Sequence, residues 1–215
     1  YFEKKEGIIF GIGTQVKINN NLFSISENNI KNKEQTLSVF KQKMPPCFKL
    51  VIIGAEHDAV QLCKYGALTG WEITIISGAS EAKSISDFQG AKNFYVISPE
   101  QIDAKLIDNQ TAIVLMTHNF ANDLRYLVAL KDTNPNYIGV LGPVKRREDL
   151  LSQFIEYCPD IENNFLDKIH GPAGLNIGSE TPQEIAISII SEILAFTKKR
   201  DPKSLSKINE KIHID

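Results

Sequence analysis

From Phe48 onward, short apolar runs alternate with stretches in which apolar residues recur every three or four positions. The runs are KLVIIG (49–54), WEITIIS (71–77), NFYVIS (93–98), TAIVLMT (111–117) and YIGVLG (137–142). Each is too short for a buried helix and is bounded by Gly, Pro, Asn or Ser, which predicts strands. TAIVLMT is the most apolar of them and should lie at the centre of the sheet, covered on both faces. The intervening stretches predict helices. One runs from about His57 to Thr69 and is stopped by Gly70. Ser98 and Pro99 have the form of an N-cap and first-turn pair opening a second. Phe120, Leu124, Leu127, Val128 and Lys131 share one side of a third. Pro143 begins a fourth, and the last is TPQEIAISIISEILAF, with Thr181 as N-cap, Pro182 at the first position and Glu184 at the third, a capping box. Strands alternating with helices at this spacing predict an α/β fold, a Rossmann-like, doubly wound parallel sheet.

Residues 1–46 break this rhythm. KINNNLFSISENNIKNKEQTLSVFKQK is rich in Asn, Lys and Ser and alternates only briefly, in VKI and LFSIS, which predicts a small β-hairpin or extended strands running into a linker at Pro45 and Pro46. Three segments are expected: a small β-containing segment over 1–46, the Rossmann-like domain over 47–200 and a tail over 201–215.

Composition narrows the function classes. With 42% apolar and 23% charged residues among 215, the chain belongs with globular proteins that bury one good core. A net charge of −2 gives no reason to expect a nucleic-acid partner. No apolar run approaches the ~18 residues of a membrane span. The chain opens at Tyr1 without the basic, apolar, small-residue order of a secretory signal, so a cytoplasmic protein is expected. Cys47, Cys63 and Cys158 are odd in number and far apart, which argues against a disulfide framework or a zinc knuckle, and Cys63 is expected as a small core hydrophobe.

In such sheets ligands bind beyond the carboxyl ends of the strands, where strand order reverses. The first such loop is GAEHDA, 54–59. Gly54 suits the tight turn, but Glu56 stands where a dinucleotide loop needs a second glycine so that backbone N–H groups can approach a pyrophosphate. Ser77, at the end of the second strand, replaces the acid that normally binds ribose hydroxyls. Conventional NAD binding is therefore disfavoured, while Ser77 alone leaves room for the 2′-phosphate of NADP. His57 and Asp58 open the first helix, where an acid complements the helix dipole. In LMTHN, Thr117 and His118 follow the central strand directly; His118 is a candidate hydrogen-bonding or acid–base group with no metal partner at ligand spacing, and Asn119 is placed to cap the next helix. Lys145, Arg146 and Arg147 crowd a helix start, opposing its dipole by ~0.3–1 kcal/mol each. An anion there would offset that cost, with Gly142 allowing close backbone approach; a solvated basic face beside Glu148 and Asp149 is the alternative. Finally, HGPAGLNIGSETP holds three glycines in a short span and offers the Asn176 amide to the edge of a heterocycle, or serves only to turn the chain.

Taken together, VIIGAEHDA, VLMTHNFANDL, YIGVLGPVKRREDLL and GPAGLNIGSETPQEIAISIISEILA resemble, in that order, the XdhC/CoxI family of maturation factors for xanthine dehydrogenase and related molybdenum hydroxylases, over roughly 45–200. The resemblance implies a Rossmann-like domain behind a small N-terminal domain, and binding and hand-over of the molybdenum–pterin cofactor (molybdopterin) without catalysis. The partners it implies are an apo molybdenum hydroxylase such as xanthine dehydrogenase, a sulfurtransferase and a second copy of the chain. The chain departs from the family pattern at Glu56, at Ser77 and in lacking N-terminal Gly-Gly-Cys words. On this reading the cofactor's single phosphate lies near Gly142, Lys145 and Arg146. Thr117, His118, Asn119 and Asn176 line the pterin side, and Glu56, His57 and Asp58 stand at the mouth beside Gly54. Two other readings stand beside it: an NADP-linked oxidoreductase, whose helix-start cations hold the 2′-phosphate, and a degenerate Rossmann module acting as a dimerising scaffold.

Overall fold

The chain divides into two units, Tyr1–Cys47 and Phe48–Asp215. The computed structural model describes the strand backbones at 7–12, 15–18, 21–24 and 39–44, and residues 47–78 and 82–207. In the first unit β1 (Gly7–Ile12), β2 (Gln15–Ile18), β3 (Asn21–Ser24) and β4 (Val39–Met44) form an antiparallel sheet in the order β3-β2-β1-β4. Ile9 of β1 lies between Ile18 of β2 and Gln42 of β4. Four strands thus stand where the sequence suggested a hairpin, because the Lys and Asn content masks the weak alternation of GIIFGI and VFKQKM. The linker expected at Pro45 and Pro46 lies outside the described residues.

The second unit holds a parallel sheet of β5 (Lys49–Ile53), β6 (Glu72–Ser77), β7 (Ala91–Val96), β8 (Thr111–Leu115), β9 (Tyr137–Val140) and a two-residue β10 (Ile169–His170). Its order is β10-β9-β8-β5-β6-β7. Read from the β7 edge and counted from the first strand of this unit, that is the doubly wound order 3-2-1-4-5-6, which reverses between β5 and β8. The helices are α1 (His57–Leu68), α2 (Phe120–Ala129), α3 (Val144–Tyr157), a single turn α4 (Asn163–Leu166) and α5 (Pro182–Thr197).

Because strand side chains alternate, each central strand feeds two cores. Leu50 and Ile52 of β5 join Leu62 and Cys63 of α1 and Ile189 and Ile193 of α5 on one face. Val51 and Ile53 join Leu124 and Leu127 of α2 and Leu150 and Phe154 of α3 on the other. All five residues of β8 are buried, as its composition predicted. Burial pushes the Cys63 thiol up to about 11, which makes it a packing residue.

Two expected helical features are corrected. Ser98 and Pro99 open only a 3-10 turn, Pro99–Gln101, whose Gln101 side chain accepts from the Ser98 N–H at 2.9 Å. The crossover there has Ile102 and Ile107 to anchor it and no 3.6-residue stripe, so no longer helix forms. Lys131 lies beyond the end of α2 and is exposed, while Leu124 and Leu127 carry the packing.

At the reversal point β5 leaves the sheet across the exit of β8. Met116 donates its N–H to the Ile53 carbonyl at 2.8 Å, and Gly54 donates to Ile76 at 2.9 Å. Gly54 has φ +134°, and a Cβ there would overlap the Met116 carbonyl oxygen. Gly54→Ala is expected to lower stability by about 3 kcal/mol through overlap and backbone strain, read as a lower urea midpoint with an unchanged slope.

Candidate functional site

The crevice beyond β5 and β8 collects the turn at 54–58, the β8 exit at 116–119 and the start of α3. Glu56 is the N-cap residue of α1, yet its side chain makes no capping bond, and Glu56 and His57 are exposed. The N–H groups of that first turn therefore face the crevice without a side-chain acceptor. Asp58 complements the helix dipole and also points at the opposite wall, where its Oδ2 lies 3.5 Å from His118 Nε2. His118 has φ +55°, a left-handed backbone that a non-glycine residue adopts only when its neighbours impose it.

Those neighbours are visible. Asn119 caps α2, its side-chain oxygen accepting from the Asn122 N–H at 3.0 Å. Thr117 donates its hydroxyl to Asp123 Oδ1 at 2.6 Å and its N–H to the same atom at 3.2 Å. Asp123 is 1% exposed, and its second oxygen accepts from Arg146 at 2.6 Å. Arg146 folds back over Gly142, which has φ +122° and no side chain to obstruct it, and its guanidinium lies 5.7 Å from the centre of the Phe120 ring. Of the three cations at this helix start, Arg146 is thus held by Asp123, and Arg147 packs its stem beneath Gly171. Lys145 is exposed and has no ion pair among the described residues. Pro143, at the cap rather than the first helical position, leaves the first turn of α3 without a side-chain cap. Ser77 is buried at the end of β6, and its hydroxyl has no partner among the described residues.

The glycine-rich strap after β10 is held by groups that periodicity did not reveal. Ala173 donates its N–H to Val140, and Leu175 exchanges bonds with Ser188 of α5. Glu192 of α5 accepts from the Gly174 N–H at 2.8 Å and from the Tyr137 hydroxyl at 2.5 Å. His170 stacks on Tyr137 with ring centres 4.6 Å apart and meets Phe196 edge-on at 4.5 Å. Its Nδ1 lies 3.8 Å from Glu192, beyond hydrogen-bond reach, and its buried Nε2 has no partner among the described residues. The one available signal was that Glu192 is the sole charged residue of the apolar run at 185–196. Asn176, at the exposed outside of the strap, makes no hydrogen bond among the described residues. No three His, Cys, Asp or Glu side chains converge as a metal site among the described residues, and no helix there is long and apolar enough to cross a membrane.

Residues 50–193 match the family model described as the XdhC Rossmann domain. A Bacillus subtilis protein described as a probable xanthine dehydrogenase component is 30% identical over 82% of this chain and 51% of its own length. The Escherichia coli "Molybdenum cofactor insertion chaperone PaoD" is 23% identical over 78% of this chain and 46% of its own. The chain thus spans about half the length of these two relatives. A Bacillus halodurans structure described as a xanthine dehydrogenase superposes with a TM-score of 0.72 at 22% identity, over 95% of this chain and 62% of that one. It supports the fold.

Two outcomes are expected from this geometry. Asp123→Ala leaves Arg146 half-buried and unpaired and should lower stability by about 3 kcal/mol in urea denaturation, with Asp123→Ala/Arg146→Met recovering part of the loss. For His170, burial and then the nearby Arg147 charge hold the pKa below its ordinary value near 6.5, against the pull of Glu192. The unfolded chain then binds the proton first, so this contribution is complete above about pH 6.5 and declines as pH falls below it. Urea midpoints at pH 7.5 and 5.5 should differ less in His170→Phe than in the parent.

Proposed function

The chain belongs to the XdhC family, and from that premise we propose that it serves the maturation of molybdenum enzymes by holding the molybdenum–pterin cofactor in the β5/β8 crevice and passing it to an apo molybdenum hydroxylase such as xanthine dehydrogenase. The cofactor is cargo here. It brings one terminal phosphate, a flat heterocycle with amide-like edges and a metal end, and the protein need break no bond in it.

The observation that carries this reading is His118, held left-handed at the exit of the central strand and reaching across the reversal point toward Asp58, beside a helix start whose Lys145 has no ion pair among the described residues. The phosphate fits the first turn of α3, where uncapped N–H groups and Lys145 converge and Gly142 keeps the backbone accessible. Arg146 stiffens this turn from behind through Asp123 rather than reaching out to the anion. His118 and the Asn119 carboxamide face the heterocycle, with Thr117 positioning both through Asp123. Asn176 offers a second amide from the strap. Glu56, His57 and Asp58 stand at the mouth, where their acceptors suit pterin N–H groups, and the like charge of Glu56 disfavours a pyrophosphate. A site made of one charged contact and several neutral ones binds with moderate affinity, which hand-over requires. A sulfurtransferase and a second copy of the chain complete the proposed set of partners.

Anaerobic titration with molybdenum cofactor released from a donor enzyme, followed by pterin fluorescence, tests the reading. Lys145→Ala should weaken retention about tenfold, the loss of one charge-assisted hydrogen bond, and adding His118→Ala should weaken it further. NADP at the same concentration should leave the melting temperature unchanged. Failure of the parent chain to retain the cofactor, or equal retention by Lys145→Ala/His118→Ala, would overturn the placement.

A further inference from the structure

The opposite edge of the same sheet carries a second feature that the crevice does not explain. A cavity of about 530 Å³ opens where the strands begin, between the loops entering β8, β9 and β10 and the last turn of α5. Its cations are Lys168, Lys199 and Arg200, and its lining contains no carboxylate. Asn109, Asn134 and Asn136 supply carboxamides, and Pro135, Ala195 and Phe196 supply an apolar wall. A neighbouring cavity of about 680 Å³ is different in kind, because Asp132, Asp160 and Glu162 balance its lysines.

The cations of the first cavity have no internal task that accounts for them. Lys199 and Arg200 form no ion pair among the described residues, and Lys168 is held by the neutral Asn134 at 2.6 Å. Asp108, the nearest acid in sequence to Asn109, is already paired with Lys49 at 2.8 Å. Cations do complement the carbonyl end of a helix. Here, however, backbone groups close that end: Arg200 donates its N–H to Ala195 at 2.8 Å, Lys199 to Phe196 at 3.0 Å and Lys198 to Leu194 at 3.0 Å. That pattern is the Schellman stop, whose left-handed residue is usually glycine. This chain places Lys199 there, at φ +51°. A lysine in that conformation is disfavoured by the backbone, and its side chain is delivered to the cavity mouth. Of the amides, Asn136 donates to the Asn109 carbonyl at 3.1 Å, which leaves the Asn109 carboxamide without a bond among the described residues.

We infer that this cavity is a second binding site, for a small organic anion with a phosphate or carboxylate head and a flat apolar body. The volume lies within the small-molecule range, and the mixture of an apolar wall with a few convergent polar groups is that of a ligand pocket. The head meets Lys199, Arg200 and Lys168, and the body lies along Pro135 and Phe196.

The probe is 1-naphthyl phosphate, with inorganic phosphate and 1-naphthol as the head and the body alone, titrated into the full 215-residue chain. Saturable binding with a Kd near or below about 1 mM is expected, weakening with added salt. It should move the side-chain amide signals of Asn109, Asn134 and Asn136 in nitrogen–proton spectra and leave Gly54 and Gly142 of the crevice unmoved. Lys199→Ala/Arg200→Ala, at exposed positions, should weaken it at least tenfold. Lys199→Gly relieves the backbone and should raise the melting temperature while weakening binding, which separates loss of the site from loss of the fold. Absence of saturable binding, binding unchanged in both variants, equal binding of inorganic phosphate or 1-naphthol, or signals moving at the crevice instead would each overturn the inference.

Discussion

The carboxylate of Asp123 is buried, and both of its oxygens are engaged: one by Thr117 at the exit of β8, the other by Arg146 at the start of α3. A lone charge in that position would be strongly disfavoured, so the three segments are obliged to stay together. Much of the crevice follows. Thr117 is held, the chain turns left-handed at His118, Asn119 comes into position to cap α2, and α3 begins with Arg146 folded inward over Gly142. The pair contributes definition as much as stability, since it couples a strand end to two helix starts.

This arrangement divides the labour among charges that look equivalent along the chain. Lys145, Arg146 and Arg147 are consecutive, yet among the described residues the first has no ion pair, the second holds a buried acid and the third packs its stem under a glycine. A helix start with a single cation left to meet an anion suits one phosphate. Glu56 works against two, because its exposed carboxylate sits at the turn where a dinucleotide would lay its pyrophosphate. The two features point the same way, toward a ligand with a single anionic end.

Helix α5 links the two edges of the sheet. Midway along it Ser188, and a turn later Glu192, fasten the strap at the crevice edge through Leu175, Gly174 and Tyr137. Its far end stops at Lys199 beside the cation-lined cavity. Phe196 belongs to both, as it meets His170 edge-on and lines the cavity. Burial of His170 beside Glu192 and Arg147 therefore lies along the path that joins the two.

The strands from Lys49 to Val140, the capping box at Thr181 and the role of Asn119 were all legible along the chain, because each rests on neighbours one to four residues apart. The family resemblance was legible for a related reason: its motifs are loops of fixed local order at strand ends. What the sequence could not say was which of several like charges would be consumed. Asp123 reaches Arg146 across 23 positions, and Tyr137 reaches Glu192 across 55. Such pairings depend on the strand order β10-β9-β8-β5-β6-β7, which decides which loops become neighbours. Local periodicity therefore determined the elements and the edge of the sheet where chemistry would gather. The packed fold alone decided which side chains remain available to meet a ligand, because a charge is available only when no distant partner has been folded against it.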